Sequence, residues 1–556
     1  MLSGLKNCFS GFSAEKCAVV AALVISATII LSNIVGFFRL DMPLILLAAA
    51  IISLWLSRDY KSEAADGKIF LLALFLFALL IYPVALITPV FPASNDAVST
   101  TAMRVMQEKI ELDYAQYGKI NMPYPIGLPV TAKAFHSVVP AIPDYLAPYS
   151  VALIAGMLQI FFVYLIAAAL FRDKKAGIIS AALLFAGKYI FENIYVGELG
   201  WYLGSALMLG FIYLFLRGSR LKYVVFPAIF LAHPISGLNT LLFLAAFYLA
   251  GGKNVFSEGP APEGAGFRWV GEMAKLFSTL VVVIPGIALT YLPIAANFFG
   301  SGVGRSESLG LVKLLTMLPF WVGTGLTLMT VAAVAWLVLA RKKMAVGQGH
   351  KIIVALLIVS LVAMGAFELM HFMLSHKVIE MIILSLVFFT GTVLSGKELN
   401  LMGRKSEAAL IIGVLIIGVV FFSASSILTQ YRAGSKISAE AMEFSAVFHD
   451  FDKAQKKVLF LTKWGGKIAE YSDKIPFDIT AAHSIISYDF MYYHNDAFYE
   501  MQEKRRIWED IFLGKKTGLV AGIDVDYIVA EKNEFNIDLN YPVAFEYKDF
   551  RVYQKA

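Results

Sequence analysis

Residues 221 to 252 read LKYVVFPAIFLAHPISGLNTLLFLAAFYLAGG. Lys222 is the only Lys, Arg, Asp or Glu in this stretch, which therefore belongs in an apolar environment. A bilayer core takes about 20 apolar residues per helical crossing, so the run is long for one span and short for two. The dipeptide His233-Pro234 lies near its middle, and proline disfavours helix at the residue before it. Whether the chain passes straight through or turns there decides on which side of the membrane every later loop falls.

The rest of the chain places this choice in a polytopic membrane protein. Of 556 residues, 58% are hydrophobic and 16% charged. The mean hydropathy is +0.70. That excludes an ordinary soluble domain. The net charge of +6 is modest, and its distribution reads as membrane topology, with no nucleic-acid partner. The first apolar run, Ala18 to Phe38, is too long for a signal h-region and lacks a small-residue cleavage site, so it is read as retained. Cys8 and Cys17 are the only cysteines, and no disulfide framework is expected in the later loops or tail.

Spans are expected at 18–38, 41–57, 69–91, 149–171, 176–191, 198–216, 223–233, 236–250, 274–299, 312–340, 352–374, 377–395 and 408–428. Basic clusters fall at Arg58/Lys61/Lys68, Arg172/Lys174/Lys175, Arg217/Arg220/Lys222, Arg341/Lys342/Lys343 and Lys397/Arg404/Lys405. With one span over 221–252, Arg341 to Lys343 would face outward. With two, every basic cluster is cytoplasmic, there are about thirteen crossings, and His233 and the tail face out. The split reading is therefore adopted. Its outer face collects loop 92–148, Glu192, Glu198, His233, GRSES at 304–308 and HFMLSHK at 371–377. An ionisable group costs about 2.5 to 3.5 kcal/mol at the centre of a membrane helix, so their convergence on one face suggests a site.

Loop 92–148 begins FPASNDAVSTT at 91–101. Beyond Asp96, Val98, Ala102, Val105, Met106 and Ile110 recur at helical spacing, which predicts an amphipathic helix on the outer surface. Tyr-Pro-Ile-Gly-Leu-Pro at 124–129 then turns the chain back toward the bilayer for a second short helix. Asp96 has two readings: an N-cap beside Ser94 and Asn95, or a general base or metal ligand partly desolvated at the bilayer surface.

An acid just after a span, a surface helix, a Tyr-Pro-x-Gly-type turn and a second short helix resemble the first outer loop of the C-type (GT-C) glycosyltransferases. These are multi-spanning enzymes that include prokaryotic protein mannosyltransferases, aminoarabinose transferases and oligosaccharyltransferases. The resemblance covers residues 69 to 250 and, more loosely, the remaining spans and the tail. It implies transfer of a sugar from a polyprenyl-phosphate-linked donor to a lipid, glycan or protein acceptor on the extracytoplasmic face, with Asp96 in the place of the first-loop acid. Many members carry two adjacent acids, whereas Asn95 precedes Asp96 here. The loop also follows the third span instead of the first, which implies two additional N-terminal spans.

A positioned carboxylate that takes a hydroxyl proton is worth about 10² to 10⁴ in rate, and that is the role implied for Asp96. Glu198 in YVGELGW is the choice for a second acid, with Glu192 as the fallback. A divalent cation, Mg or Mn, would need more oxygen ligands than one acid supplies, so the metal is left open. Donor-phosphate contacts are assigned to Arg305 and to the cluster of His371, His376 and Lys377. Arg305 could instead pair with Glu307 or meet lipid headgroups. His371 and His376 are five residues apart and do not form an i, i+4 metal pair. Substrate contacts are assigned to His233, at the mouth of the broken helix, and to Tyr124. No Gly-rich phosphate loop, zinc spacing or nucleophile elbow occurs.

Beyond the last span, KVLFLT, VDYIVAEK and VAFEYKDFRVYQ read as strands, and AEAMEFSAVFHDFDKA and DAFYEMQEKRRIWEDIF as helices. The expected protein is an all-α polytopic GT-C-like membrane protein with a C-terminal extracytoplasmic α/β domain. Residues 1–68 hold the two added helices, 69–430 the catalytic core and 431–556 the outer domain. The expected location is the plasma membrane, multi-pass, with a cytoplasmic N-terminus, among membrane lipids. A transporter or lipid flippase, or a non-catalytic assembly protein on the same fold, are the rival readings.

Overall fold

The computed structural model describes residues 13–35, 41–62, 127–142, 146–187, 189, 199–251, 265–284, 316–319, 322–339, 347–369, 378–395, 439–454, 456–472, 474–477, 495–535 and 539–555. The expected spans 69–91 and 408–428, the surface helix after Asp96 and the segment 478–494 lie outside the described residues.

The helices described before the tail are α1 (Ala14–Val35), α2 (Met42–Leu56), α3 (Gly127–Val138), α4 (Ala147–Phe171), α5 (Lys174–Ala186), α6 (Leu199–Leu216), α7 (Lys222–Ala232), α8 (Pro234–Leu249), α9 (Ala265–Thr279), α10 (Thr324–Leu339), α11 (Gln348–Leu369) and α12 (Ile379–Ser395). Among the described residues, four apolar helices are long enough to cross a membrane: Ala14–Ile34, Ala147–Phe171, Leu199–Leu216 and Gln348–Leu369. The others are shorter.

Every residue of α6 is buried. It forms the centre of the bundle, with α4, α7 and α8 packed around it and α1 behind α7. An all-round apolar helix such as α6 is stable only when enclosed by other helices or lipid. The N-terminal hairpin α1/α2 also packs against α3, so it is built into the bundle.

The 221–252 stretch is two helices. α7 ends at Ala232, His233 is extended at φ −163° and ψ 124°, and Pro234 opens α8. Proline is suited to a first helical position because its missing N–H would have no partner there. The backbone is satisfied across the break: His233 N–H donates to Ile229 O at 2.9 Å, and Gly237 N–H donates to His233 O at 3.2 Å. Both outer ends of this hairpin lie at one end of the bundle. Lys222, at the start of α7, lies 5.2 Å from the Phe215 ring near the end of α6. Phe247, near the end of α8, lies 5.1 Å from that same ring.

That end also gathers basic and acidic groups. The fully buried Glu15 accepts from Tyr60 Oη at 2.7 Å and Tyr213 Oη at 2.6 Å. Arg217 Nη2 donates to Lys61 O at 3.3 Å, and Gln348 Nε2 donates to Ala250 O at 2.9 Å. The split reading predicts this shared basic end.

Two expected boundaries move. The helix at the 274–299 run starts at Ala265. Glu272 can lie in its body because Lys222 forms an ion pair with it and Tyr223 Oη donates to it at 2.9 Å. The expected span 312–340 is interrupted at Gly323, φ 95°, before α10.

The tail comprises α13 (Ala439–Phe451), β1 (Lys457–Leu461), α14 (Gly465–Ser472), β2 (Ile475–Pro476), α15 (Asn495–Phe512), β3 (Tyr527–Glu531), β4 (Val543–Tyr547) and β5 (Phe550–Gln554). The sheet order is β2-β1-β3-β5-β4, with β1 parallel to both neighbours and β5 antiparallel to β3 and β4. Side chains alternate along a strand, and β1 buries both faces. Phe460 lies 6.5 Å from Phe448 of α13, whereas Leu459 and Leu461 pack with Ile511 of α15. The three predicted strand segments and two predicted helices are present; α14 and β2 complete a β-α-β unit that the periodicity does not announce.

Candidate functional site

The His233 turn is held from two sides by residues without side chains. Gly204 of α6 faces it so closely that an added Cβ would lie 2.8 Å from His233 Cβ and 2.5 Å from Ser236 Oγ. Gly127, the first residue of α3, sits against the Ala232 backbone, where a Cβ would overlap it. Small residues let membrane helices approach at backbone distance. Gly204 is twelve residues before Leu216, so by helical rise the turn lies ~18 Å from the basic end of α6.

Around the turn lies a cluster of polar and aromatic side chains. The Trp201 indole stacks on His233, with ring centroids 6.4 Å apart and planes 26° apart. Its Nε1–H donates to Glu380 Oε2 at 3.0 Å, and Asn239 Nδ2 donates to the same oxygen at 2.9 Å. Tyr189 Oη and Ser205 Oγ stand beside the carboxyl group, 3.0 Å from each other. The Tyr189 ring meets Trp201 edge-on at 5.7 Å. Ser205 Oγ donates to Trp201 O at 3.0 Å, fixing the tryptophan backbone.

Glu380 stands in the first turn of α12 and is 2% exposed. A carboxylate is favoured at a helix N-terminus by the helix dipole, and one buried in a bundle requires several donors. The five side chains come from Tyr189, three residues beyond α5, and from α6, α8 and α12, and α3 reaches the turn through Gly127. The cluster is therefore assembled from positions 141 and 179 residues apart in the chain.

Of the predicted site residues, the structure places His233 at the centre of this arrangement. It terminates α7 and precedes α8. Asp96, Glu198, Glu192, Arg305, His371, His376, Lys377 and Tyr124 lie outside the described residues. The elements that follow three of them do meet at the turn. α3 begins three residues after Tyr124, α6 follows Glu198 directly, and α12 begins two residues after Lys377.

Sequence reading did not single out Glu380, Trp201, Asn239, Tyr189 or Ser205. Glu380 is the only charged residue between Val378 and Ser395, and a lone acid inside a span is the signal that could have found it. Among the described residues no group of three or more His, Cys, Asp and Glu could hold a metal ion.

No protein-family model matches the chain. No curated protein matches it in sequence. Among solved structures, the oligosaccharyltransferase of Archaeoglobus fulgidus, crystallised in complex with Zn and sulfate, is 12% identical and aligns over 83% of this chain and 68% of that one, with a TM-score of 0.38.

Proposed function

We propose that the protein is a membrane glycosyltransferase that moves a sugar from a polyprenyl-phosphate carrier to an acceptor on the extracytoplasmic face. The observation that carries the reading is the seating of Gly127 against Ala232. Helix α3 begins against the last residue before the His233 turn, and residues 92–126, which bear Asp96, immediately precede it in the chain. Irregular backbone at that depth is tolerated where protein or water covers it, as a substrate site requires.

In this reading Asp96 takes the acceptor hydroxyl proton as the acceptor oxygen bonds to the anomeric carbon. The bond from that carbon to the carrier phosphate breaks, and the phosphate leaves with its electron pair. Glu198 supplies the second acid. Arg305, with His371, His376 and Lys377, meets the charge that develops on the leaving phosphate. His233 and Tyr124 contact substrate. A divalent cation would draw its ligands from Asp96 and Glu198. The basic end of the bundle faces the cytoplasm and the tail faces out.

The test is Asp96→Asn in membranes supplied with lipid-linked donor. Transfer is expected to fall by about 10² to 10⁴ while insertion and folding persist. Unchanged transfer removes the assignment. A broken helix and a buried acid also suit a transporter. Donor translocation without sugar transfer by the unmodified protein would favour that class.

A further inference from the structure

Helix α2 carries no residue of the reaction set out above, and its outer surface has a pattern of its own. Leu44, Leu47, Ile51 and Trp55 are 57 to 59% exposed and recur three or four residues apart, so they form one apolar strip. By helical rise the strip is about 16 Å long, close to the hydrocarbon depth of a single leaflet in a core of about 30 Å. Acyl chains of one leaflet fit it.

The strip ends in positive charge. The Arg58 guanidinium lies 5.1 Å from the centroid of the Trp55 ring, and its side chain is 61% exposed. Its Nε–H donates to Asp59 at 3.2 Å, and among the described residues its terminal nitrogens have no other acceptor. Other elements bring further cations to the same place. Lys16 Nζ of α1 donates to Arg58 O at 3.3 Å, and Arg217 Nη2, just past α6, donates to Lys61 O at 3.3 Å. Lys61 itself is exposed. Facing these four cations are Asp59, which is exposed, and Glu15, which is buried with Oε1 taken by Tyr60 and Tyr213.

We propose that the end of α2 is a binding site for one anionic phospholipid. Its phosphate meets Arg58 and Lys61, and its acyl chains lie along the strip from Leu44 to Trp55. A guanidinium offers paired donors to phosphate oxygens, and a tryptophan favours headgroup level, so the two residues mark the depth at which a lipid phosphate sits. The charge at this point selects an anionic headgroup over a zwitterionic one. The site is independent of the glycosyltransferase reading.

The experiment is native mass spectrometry of the full-length protein in a neutral detergent, titrated with phosphatidylglycerol, phosphatidylcholine or inorganic phosphate. The first phosphatidylglycerol is expected to bind at least about tenfold more tightly than phosphatidylcholine, from two nearby basic residues at roughly fivefold each. Joint replacement Arg58→Gln and Lys61→Gln should weaken phosphatidylglycerol by about thirty-fold and leave phosphatidylcholine within about twofold. The matched control is Lys174→Gln with Lys175→Gln, which removes the same charge from another exposed basic cluster, at the start of α5. It should leave the first phosphatidylglycerol within about twofold. Inorganic phosphate should not displace the lipid, because it cannot use the strip.

Trp55→Leu keeps the strip apolar and removes the ring under Arg58. It should weaken phosphatidylglycerol by about two- to fivefold, and it carries the test if the double variant does not insert. Equal losses in the two double variants overturn the proposal, since they assign binding to diffuse surface charge. Equal affinity for the two lipids also overturns it, as does an unchanged affinity in Trp55→Leu. Displacement by inorganic phosphate assigns the cations to a free anion and removes the lipid.

Discussion

Gly127 and Ala232 meet backbone to backbone, the first residue of α3 against the last residue of α7. The pair joins α3 to the helix break at His233, although the two residues are far apart in the chain. Any side chain at 127 must push α3 off α7, because the atom it meets is main chain and cannot rotate away.

Gly127→Ala is therefore expected to lower stability by about 1 to 3 kcal/mol, the usual range for overpacking a filled site. Gly271 in α9 is the matched control, since nothing lies within 4 Å of an added Cβ there. Gly271→Ala should stabilise by about 0.5 to 1 kcal/mol, because alanine favours helix over glycine. Thermal unfolding in detergent compares them, and equal midpoints for the two variants would contradict the close approach.

Glu15 separates the value of an acceptor from the value of a charge. Its Oε1 takes both tyrosine hydroxyls, whereas Oε2 has no hydrogen-bond partner among the described residues. Glu15→Ala leaves two enclosed hydroxyls unmatched and should cost about 2 to 4 kcal/mol. Glu15→Gln retains the acceptor, and a loss under about 1 kcal/mol is expected. Reversible unfolding of the two variants in one detergent is the measurement. A glutamine as damaging as alanine would assign the effect to charge.

In the tail, Glu531 at the end of β3 is held above the ordinary carboxyl value, chiefly by burial and also by the nearby Glu534 charge. Thr462 Oγ1 donates to it at 2.5 Å. A raised carboxyl contributes stability that is complete below the unfolded value of about 4.3 and is lost as pH rises through the folded value. At neutral pH the ionised group therefore opposes folding. Glu531→Gln keeps the threonine bond and should stabilise the tail at pH 7.5 by under about 1 kcal/mol after solvent screening. The gain should shrink toward pH 4. Pulse proteolysis of the full-length chain at several pH values reads both, and a gain that grows on acidification would reverse the sign argued here.

The membrane orientation has a direct test. In a background with Cys8 and Cys17 replaced, a cysteine at position 305 is expected to react with an impermeant maleimide from outside. One placed at Arg220, at the basic end, is expected to react from the cytoplasmic side alone. Cytoplasmic reactivity at both would rule out the assigned topology.

What the sequence determined by itself is local. Continuous apolar runs specify the long helices, Pro234 specifies the break at His233, and short runs rich in β-branched and aromatic residues specify β1, β3, β4 and β5, because each signal lies within a few residues of the structure it causes. Helix limits were less legible: α9 begins at Ala265 because Lys222, in another helix, neutralises Glu272. The site was legible at His233 and not at Glu380. A lone acid in an oily run carries no local record of its donors, and those of Glu380 come from residues as distant as Trp201 and Asn239. Only packing at the bundle centre, where Gly204 and Gly127 permit close approach of the helices, decided that these groups share one buried space. In a low-dielectric interior, that proximity turns a single carboxylate into an organising group.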